Sequence, residues 1–108
     1  MKFVTRTEEM ILLAVHALQP EAYGLAIGEY LRNLTGRRWS VGAIYVPLDR
    51  LEQHSLLTSH EGDPTPERGG RSKRFFALSP KGLEALAEVK HLNQALWAQA
   101  PELKGVSR

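Results

Sequence analysis

Apolar side chains recur at helical spacing in the first part of the chain and predict two helices. Thr5 and Glu8 have the spacing of a capping box, and a long apolar stretch follows. This helix is expected to end before Gln19-Pro20, because the residue before a proline disfavours helical geometry. A second helix is expected from about Tyr23-Gly24 to Gly36, which suits left-handed backbone geometry. Its buried face is predicted at Ile27, Tyr30, Leu31 and Leu34.

A third helix is predicted after the turn that contains Arg37-Arg38, with Ser40 as its N-cap. Its buried stripe is predicted at Ile44, Leu48 and Leu51. Pro47 lies inside this helix and lacks the N–H that would bond to the Ala43 carbonyl. We therefore expect a kink or strain there, at about 3 kcal/mol in an ordinary helix interior.

The rest of the chain predicts a two-stranded hairpin and a long helix. Residues 56–61 and 72–78 have strand character, and the loop between them is rich in glycine and proline. Ser79-Pro80 starts the last helix, with serine as N-cap and proline at the first helical position. This helix is expected to continue to just before Pro101, a length of about 30 Å.

Three helices followed by a hairpin describe a winged helix-turn-helix, an α+β fold that is mainly α. In this fold the third helix enters the major groove of DNA, and the hairpin, or wing, lies against the backbone or the minor groove. We expect a winged-helix DNA-binding domain at residues 1–79, a long C-terminal dimerisation helix at 80–101 and a flexible tail at 102–108.

Composition limits the class of protein. The chain has 108 residues, of which 43% are hydrophobic and 24% charged, as is typical of one soluble globular domain. No apolar run is long enough for a membrane span or a signal peptide, so we expect a cytoplasmic protein without a membrane partner. With no cysteine and four scattered histidines, we predict no disulfide, no metal site and no cofactor.

The cations are concentrated, although the net charge is only +2. Residues 68–74 contain four cations and no acid, which favours binding to the phosphates of double-stranded DNA. The DNA contacts predicted on the wing are Arg68, Gly70, Arg71 and Lys73. Strand alternation places Arg74 on the face opposite Lys73, so not every cation can reach DNA. The alternative is a solvated loop whose charge aids solubility.

The third helix is the second candidate DNA surface. Its predicted contacts are Ser40, Gly42, Ala43, Tyr45, Val46 and Arg50. Small residues at the start of a helix allow close approach to the groove, and the N-terminus of a helix favours phosphate oxygens. The Tyr45 hydroxyl can donate to a phosphate, and Arg50 can pair with phosphate or guanine. The alternative is a solvated face on which Arg50 pairs with Glu52 or Asp49.

The last helix carries more apolar surface than so small a core can cover. The predicted dimer interface consists of Leu83, Leu86, Val89, Leu92, Leu96 and Trp97. Packing on the first helix of the same chain is the alternative, and we expect both. A symmetric homodimer would present two third helices to a two-fold operator, about 34 Å apart.

Six segments have an informative order and spacing: Tyr23-Gly24, residues 40–45 (SVGAIY), residues 48–52 (LDRLE), Leu56-Leu57, residues 69–78 (GGRSKRFFAL) and residues 79–82 (SPKG). Together they resemble the PadR family of bacterial transcriptional regulators, over residues 7–96. One departure is Pro47, since many relatives place a proline directly after the tyrosine. The resemblance implies a winged-helix repressor with a short C-terminal dimerisation helix.

The resemblance also implies a second partner, because some members bind flat aromatic effectors in a cavity at the dimer interface. Trp97 and Asn93 are the residues expected at such a site, with ordinary interface packing of Trp97 as the alternative. The leading function is a sequence-specific DNA-binding transcriptional regulator that acts as a homodimer. A winged-helix adaptor that binds protein and not DNA is the alternative. An enzyme is not predicted, because the sequence has no phosphate loop, nucleophile motif or clustered carboxylate pair.

Overall fold

Helices and a small sheet enclose one apolar core in the order that the sequence predicts. The structure, a computed structural model, describes residues 4–62 and 73–106. Its elements are α1 (Arg6–Ala17), α2 (Gly24–Thr35), α3 (Val41–Gln53), β1 (Leu57–Glu61), β2 (Arg74–Leu78) and α4 (Pro80–Gln99). The fold is a mainly helical winged helix-turn-helix whose wing strands form a two-stranded antiparallel sheet.

Side-chain caps begin α1 and α3, and a glycine ends α2. Thr5 forms the predicted capping box, since its Oγ1 accepts from the Glu8 N–H at 3.1 Å and its own N–H donates to the Glu8 carboxylate at 2.8 Å. Ser40 Oγ accepts from the Ala43 N–H at 3.1 Å and caps α3. Gly36 ends α2 with a φ of 71°, the left-handed geometry in which glycine has no Cβ penalty.

The helix α3 continues through Pro47 to Gln53 without a break. The proline is buried together with Ile44 and Leu48, so its ring packs into the core. The proline leaves the Ala43 carbonyl without its helical donor, but Ala43 is exposed and water can hydrate that oxygen. The helix is therefore not interrupted where the sequence predicts a kink or strain, and burial of the ring helps to offset the lost hydrogen bond.

The core is built from α1, α2, α3, both strands and the segment before α2. Its buried apolar residues are Ile11, Leu12, Ala14, Val15, Ala22, Ile27, Leu31, Ile44, Leu48, Leu51, Leu57 and Phe76. Leu34, predicted on the buried face of α2, is 69% exposed. It lies in the last turn of α2, beyond the part of the helix that Ile27 and Leu31 anchor in the core.

The strand β2 is paired on both of its edges. It runs antiparallel to β1, and the pairing ends with Arg74 opposite Glu61. On its other edge, the Phe76 N–H donates to the Ala22 carbonyl at 2.8 Å. The side-chain amide of Gln19 also donates to the Phe76 carbonyl, at 2.7 Å. The wing is thus tied to the segment that leads into α2.

The first turn of α4 docks on the end of the helix-turn-helix. Ser79 Oγ accepts from the Gly82 N–H at 3.0 Å and donates to the Ser55 carbonyl at 2.6 Å. Gly82 is buried, and a Cβ at this position would overlap the Leu56 carbonyl oxygen and lie 3.1 Å from its carbon. Beyond this turn α4 runs along α1, where Leu86 packs on the core and Asn93 bonds to Glu9. The radius of gyration is 16.0 Å, against about 13 Å for a compact chain of 100 residues.

Candidate nucleic-acid interface

One side of α3 is open along its length. Ile44, Leu48 and Leu51 face the core, so the opposite side of the helix faces outward. The predicted contacts that are exposed on this side are Ser40, Gly42, Ala43, Val46 and Arg50. Because Ser40 caps the helix at the same surface, the N-terminal end of α3, with its partial positive charge, is presented there as well.

Tyr45 is the exception among the predicted residues of α3. Its side chain is half-buried, and its hydroxyl packs against Gly24 at the start of α2. A Cβ on Gly24 would lie 2.7 Å from Tyr45 Cε2, so only glycine lets the two helices approach in this way. The structure therefore places Tyr45 where it positions α3 against α2.

Lys73 is the one predicted wing contact that falls within the described residues. Its ammonium nitrogen lies 4.1 Å from the centroid of the Tyr23 ring, a cation–π geometry at the N-terminus of α2. The Tyr23 ring packs edge-on against Phe75 at 5.8 Å, and Phe75 stacks on His60 at 5.7 Å. Lys73 is thus placed at the base of the wing. Arg68, Gly70 and Arg71 lie outside the described residues.

Arg74 joins the wing to α3. Its guanidinium contacts the carboxylate of Asp49 at 3.0 Å and also pairs with that of Glu52. Arg74 Nε donates to Ser59 Oγ at 3.2 Å, and the Ser59 hydroxyl donates to Glu52 at 2.6 Å. The guanidinium also lies over the ring of Phe76, 4.8 Å from its centroid. Both strands and α3 are therefore held by one hydrogen-bonded cluster of charged groups.

The cluster changes the electrostatics of the exposed α3 face. Partial burial by itself lowers the pKa of Arg74, but hydrogen bonds and charge from Asp49 and Glu52 outweigh it and raise the pKa above its ordinary value. In turn, the single positive charge of Arg74 offsets one of the two negative charges, so the cluster repels a phosphate backbone less than the two free carboxylates would. Arg50 is exposed, and the two acids considered as its partners are paired with Arg74 instead.

Sequence reasoning missed this role of Arg74. A signal for it exists, because Arg74 and Phe76 are two residues apart and share one face of β2. Phe76 is buried, so the same face carries Arg74 toward α3. The identity of its partners is set by the packing of β2 on α3, which no local pattern encodes.

The second predicted surface is the outer face of α4. Leu83, Leu92, Leu96 and Trp97 are 38–63% exposed, whereas Leu86 and Val89 are half-buried. Leu86 packs on the core of its own chain. The structure thus splits the predicted dimer residues into two that turn partly inward and four that are exposed.

An open groove of about 570 Å³ lies between α1 and α4, and Leu83 is part of its lining. Both residues predicted for an effector site, Trp97 and Asn93, line it, together with Leu13 and His16 of α1. The Asn93 amide donates to the Glu9 carboxylate at 3.4 Å, so one polar pair lies in a mostly apolar groove.

The described residues also limit other kinds of site. Within residues 4–62 and 73–106, no cluster of three histidine, aspartate or glutamate side chains could hold a metal ion. None of the helices in these ranges combines the length and apolarity that a membrane span requires.

Comparison with known proteins identifies the family. Residues 12–88 match the transcriptional regulator PadR-like family, whereas none of the curated proteins matches. A PadR-like transcription factor from Bacteroides fragilis is 27% identical, with 86% of this chain and 88% of that one covered and a TM-score of 0.68. H. salinarum RosR is 25% identical, with 91% and 81% covered and a TM-score of 0.69.

A PadR family transcriptional regulator from Eggerthella lenta gives a similar result, with 25% identity, 82% and 75% coverage and a TM-score of 0.66. The family match spans well over half of the chain and includes α2, α3, both wing strands and the first half of α4. Members of this family are transcriptional regulators and not enzymes. The chain is therefore a member of the PadR-like family of transcriptional regulators.

Proposed function

We propose that the chain is a sequence-specific DNA-binding repressor that acts as a homodimer. The observation that carries the proposal is the outer face of α3, which is capped by Ser40 and exposed, and whose acids Asp49 and Glu52 are paired with Arg74. In a helix-turn-helix such a face enters the major groove. Occupancy of an operator by the dimer would then block polymerase, in the cytoplasm where the chromosome lies.

Each surface is assigned a part in this binding. Exposed Ser40, Gly42, Ala43, Val46 and Arg50 meet the groove, and Tyr45 sets the angle of α3. Lys73, at the base of the wing, contacts the backbone. Arg68, Gly70 and Arg71 extend the same contact toward the backbone or the minor groove, as their positions in the sequence suggest.

The DNA-binding proposal is tested with the full-length chain and duplexes from its own promoter region, against random duplexes of equal length. We expect tighter binding to the promoter duplex and a linear fall of log K with log salt, because phosphate contacts release counterions. Arg50→Ala should weaken binding and lower the salt slope by about 1 if the arginine meets a phosphate. Equal affinity for promoter and random DNA with no salt slope would refute the proposal.

The homodimer is supported by the exposed apolar side chains of α4 and by a radius of gyration above that of a compact chain of this size. Sedimentation equilibrium should give twice the chain mass of 12.1 kDa. Leu96→Glu should shift the mass to that of one chain by placing a charge in the interface. Leu103→Glu is the matched control, because Leu103 is 61% exposed but follows α4, against 58% for Leu96. Equal masses for both variants would contradict the assignment.

For an effector, we propose a flat aromatic molecule stacked on Trp97 in the groove between α1 and α4. A panel of planar aromatic acids and amines should quench the tryptophan fluorescence of the wild type but not of Trp97→Phe. The remaining tryptophan, Trp39, is half-buried and donates its indole N–H to Thr35 Oγ1 at 3.2 Å, so it serves as an internal reference. Equal quenching of the two proteins would exclude Trp97 as the stacking platform.

Substitutions in the wing distinguish a DNA-binding regulator from a protein-binding adaptor. Replacing Arg68, Arg71 and Lys73 together by alanine should abolish repression of a reporter if the wing binds DNA. An adaptor that binds no nucleic acid would keep its function in this triple variant. The same variant should retain the wild-type dimer mass, which separates loss of DNA contacts from loss of the fold.

A further inference from the structure

The exposed start of α3 is apolar. Val41 is 76% exposed and Val46 is 56% exposed, and Gly42 and Ala43 between them are exposed as well. None of these four side chains carries a hydrogen-bond donor or acceptor. Val41 lies on the side of the helix start toward α2, where it lines a groove, and Val46 lies on the side away from the core. We call these four residues together the apolar patch. Because valine is a mediocre helix former and these two valines lie outside the core, the stability of the fold does not account for them.

Two polar groups near the apolar patch are bonded within the protein, and the Tyr45 hydroxyl packs against Gly24. The Asp49 carboxylate pairs with Arg74. The Ser40 hydroxyl oxygen accepts the cap hydrogen bond from α3. The N-terminal part of a recognition helix is the part that meets base edges. In this chain the N-terminal part of α3 exposes the apolar side chains of Val41, Ala43 and Val46.

The charges around the patch indicate what covers it. Beside it, between α2 and α3, lies an open groove of about 420 Å³ whose lining includes Arg32, Arg38 and one acid, Glu29. Arg50 is exposed one turn beyond Val46. An apolar centre with a mainly cationic rim fits the major groove of DNA, where base edges lie between two rows of phosphates.

Base edges in the major groove carry one apolar group, the C5 methyl of thymine. We propose that Val41 and Val46 read thymine methyl groups, so that the operator half-site is specified at these positions by A·T pairs. This inference rests on the proposed function, and it names the base that the function would recognise. Gly42 and Ala43 permit the approach, since a Cβ placed on Gly42 would meet no described atom within 4 Å outside its own chain neighbours and the adjacent backbone of α3.

The test uses the full-length chain and a duplex that it enriches from a random pool. Each thymine of the enriched half-site is replaced in turn by deoxyuridine, which removes the methyl group and leaves every hydrogen-bonding group in place. Loss of one methyl buried against valine should weaken binding about fourfold. At least one position in each half-site is expected to show this loss.

Val46→Ala identifies the residue that makes the contact. This variant should bind the thymine duplex several-fold more weakly and should no longer distinguish thymine from deoxyuridine at its position. Its salt slope should equal that of the wild type, because no phosphate contact is lost. Val106→Ala is the matched control, a valine of 60% exposure in the segment after α4, and should change nothing.

Failure of thymine reading and failure of the proposed function give different results in this experiment. If specific binding persists while every deoxyuridine duplex binds as tightly as the thymine duplex, thymine reading is overturned and the proposed function stands. If the chain enriches no duplex over random DNA, the proposed function itself is overturned, and the inference falls with it.

Discussion

Arg74 offers the sharpest test of how the wing is fixed to α3. The substitution Arg74→Met removes the guanidinium but keeps an unbranched apolar stem over Phe76. The Arg74 side chain is 37% exposed, with Asp49 at 53% and Glu52 at 31%. An exposed pair such as that with Asp49 is worth about 0.5 kcal/mol after solvent screening. The partly buried, charge-assisted pair with Glu52 adds about 1 kcal/mol, so we expect a loss of about 1.5 kcal/mol in the free energy of unfolding.

The assay is urea denaturation at one fixed protomer concentration, because the stability of a dimer depends on concentration. Arg6→Met is the matched control, since Arg6 also pairs with a glutamate at 3.1 Å but is 74% exposed. The control should lose no more than about 0.5 kcal/mol. In about 1 M salt, where the Debye length is about 3 Å, the difference between the two variants should shrink.

The pH dependence has a definite sign. The folded protein raises the pKa of Arg74 through Asp49 and Glu52, so its contribution to stability is fully present below the unfolded pKa of arginine. It would be lost only as pH rises through the folded value, far above any working pH. A double-mutant cycle with Glu52→Gln should give a coupling of about 1 kcal/mol. Equal losses in Arg74→Met and Arg6→Met, or a coupling near zero, would show that the Arg74 cluster does not stabilise the wing against α3.

Two further predictions concern the docking of α4 and the caps. Gly82→Ala should lower the free energy of unfolding by about 1–3 kcal/mol, because its Cβ would overlap the Leu56 carbonyl. Gly42→Ala is the control at an open helical position, and it should be neutral or stabilising by up to about 1 kcal/mol. Urea denaturation of both variants checks this, and a neutral Gly82→Ala would contradict the close approach. Ser79→Ala should cost about 1.5–2 kcal/mol and Ser40→Ala about 1 kcal/mol, since Ser79 makes the cap bond and also donates to the Ser55 carbonyl. The ranking of their denaturation midpoints is the readout, and the reverse order would show that the second bond contributes nothing.

Local signals in the sequence predict most of the fold. The capping box at Thr5, the serine caps at Ser40 and Ser79, and Gly36 at the end of α2 all act within one helical turn of the residues they fix. Such interactions depend only on near neighbours in the chain, which is why their pattern can be recognised without the structure. The described strand and helix ends therefore lie within two residues of those predicted.

What the sequence leaves open concerns contacts between distant segments. Arg74 and Asp49 are 25 residues apart, and Tyr45 meets Gly24 across the angle between two helices. Each pair exists only because the core holds its elements at a particular distance and rotation. Pro47 illustrates the same limit, because propensity predicts a disturbed helix and the buried position of its ring shows how the fold accommodates it.

The candidate site contains one feature that the sequence predicts correctly and one that it does not indicate. The exposed side of α3 follows from its periodicity, and the structure confirms that Gly42, Ala43 and Val46 are exposed. The same periodicity gave no indication that Tyr45 would be half-buried, since its position on the flank of the helix is covered by α2 and not by the core. Whether α3 contacts DNA remains a prediction.

A hydroxyl-radical footprint of the full-length protein on its enriched duplex shows whether a dimer binds with both copies of α3 in the DNA. Two equivalent protected regions related by two-fold symmetry are expected, with centres about 34 Å apart, because two copies of α3 enter successive major grooves on one side of the DNA. A single unsymmetrical region, or protection spread evenly along any duplex, would contradict binding by such a dimer.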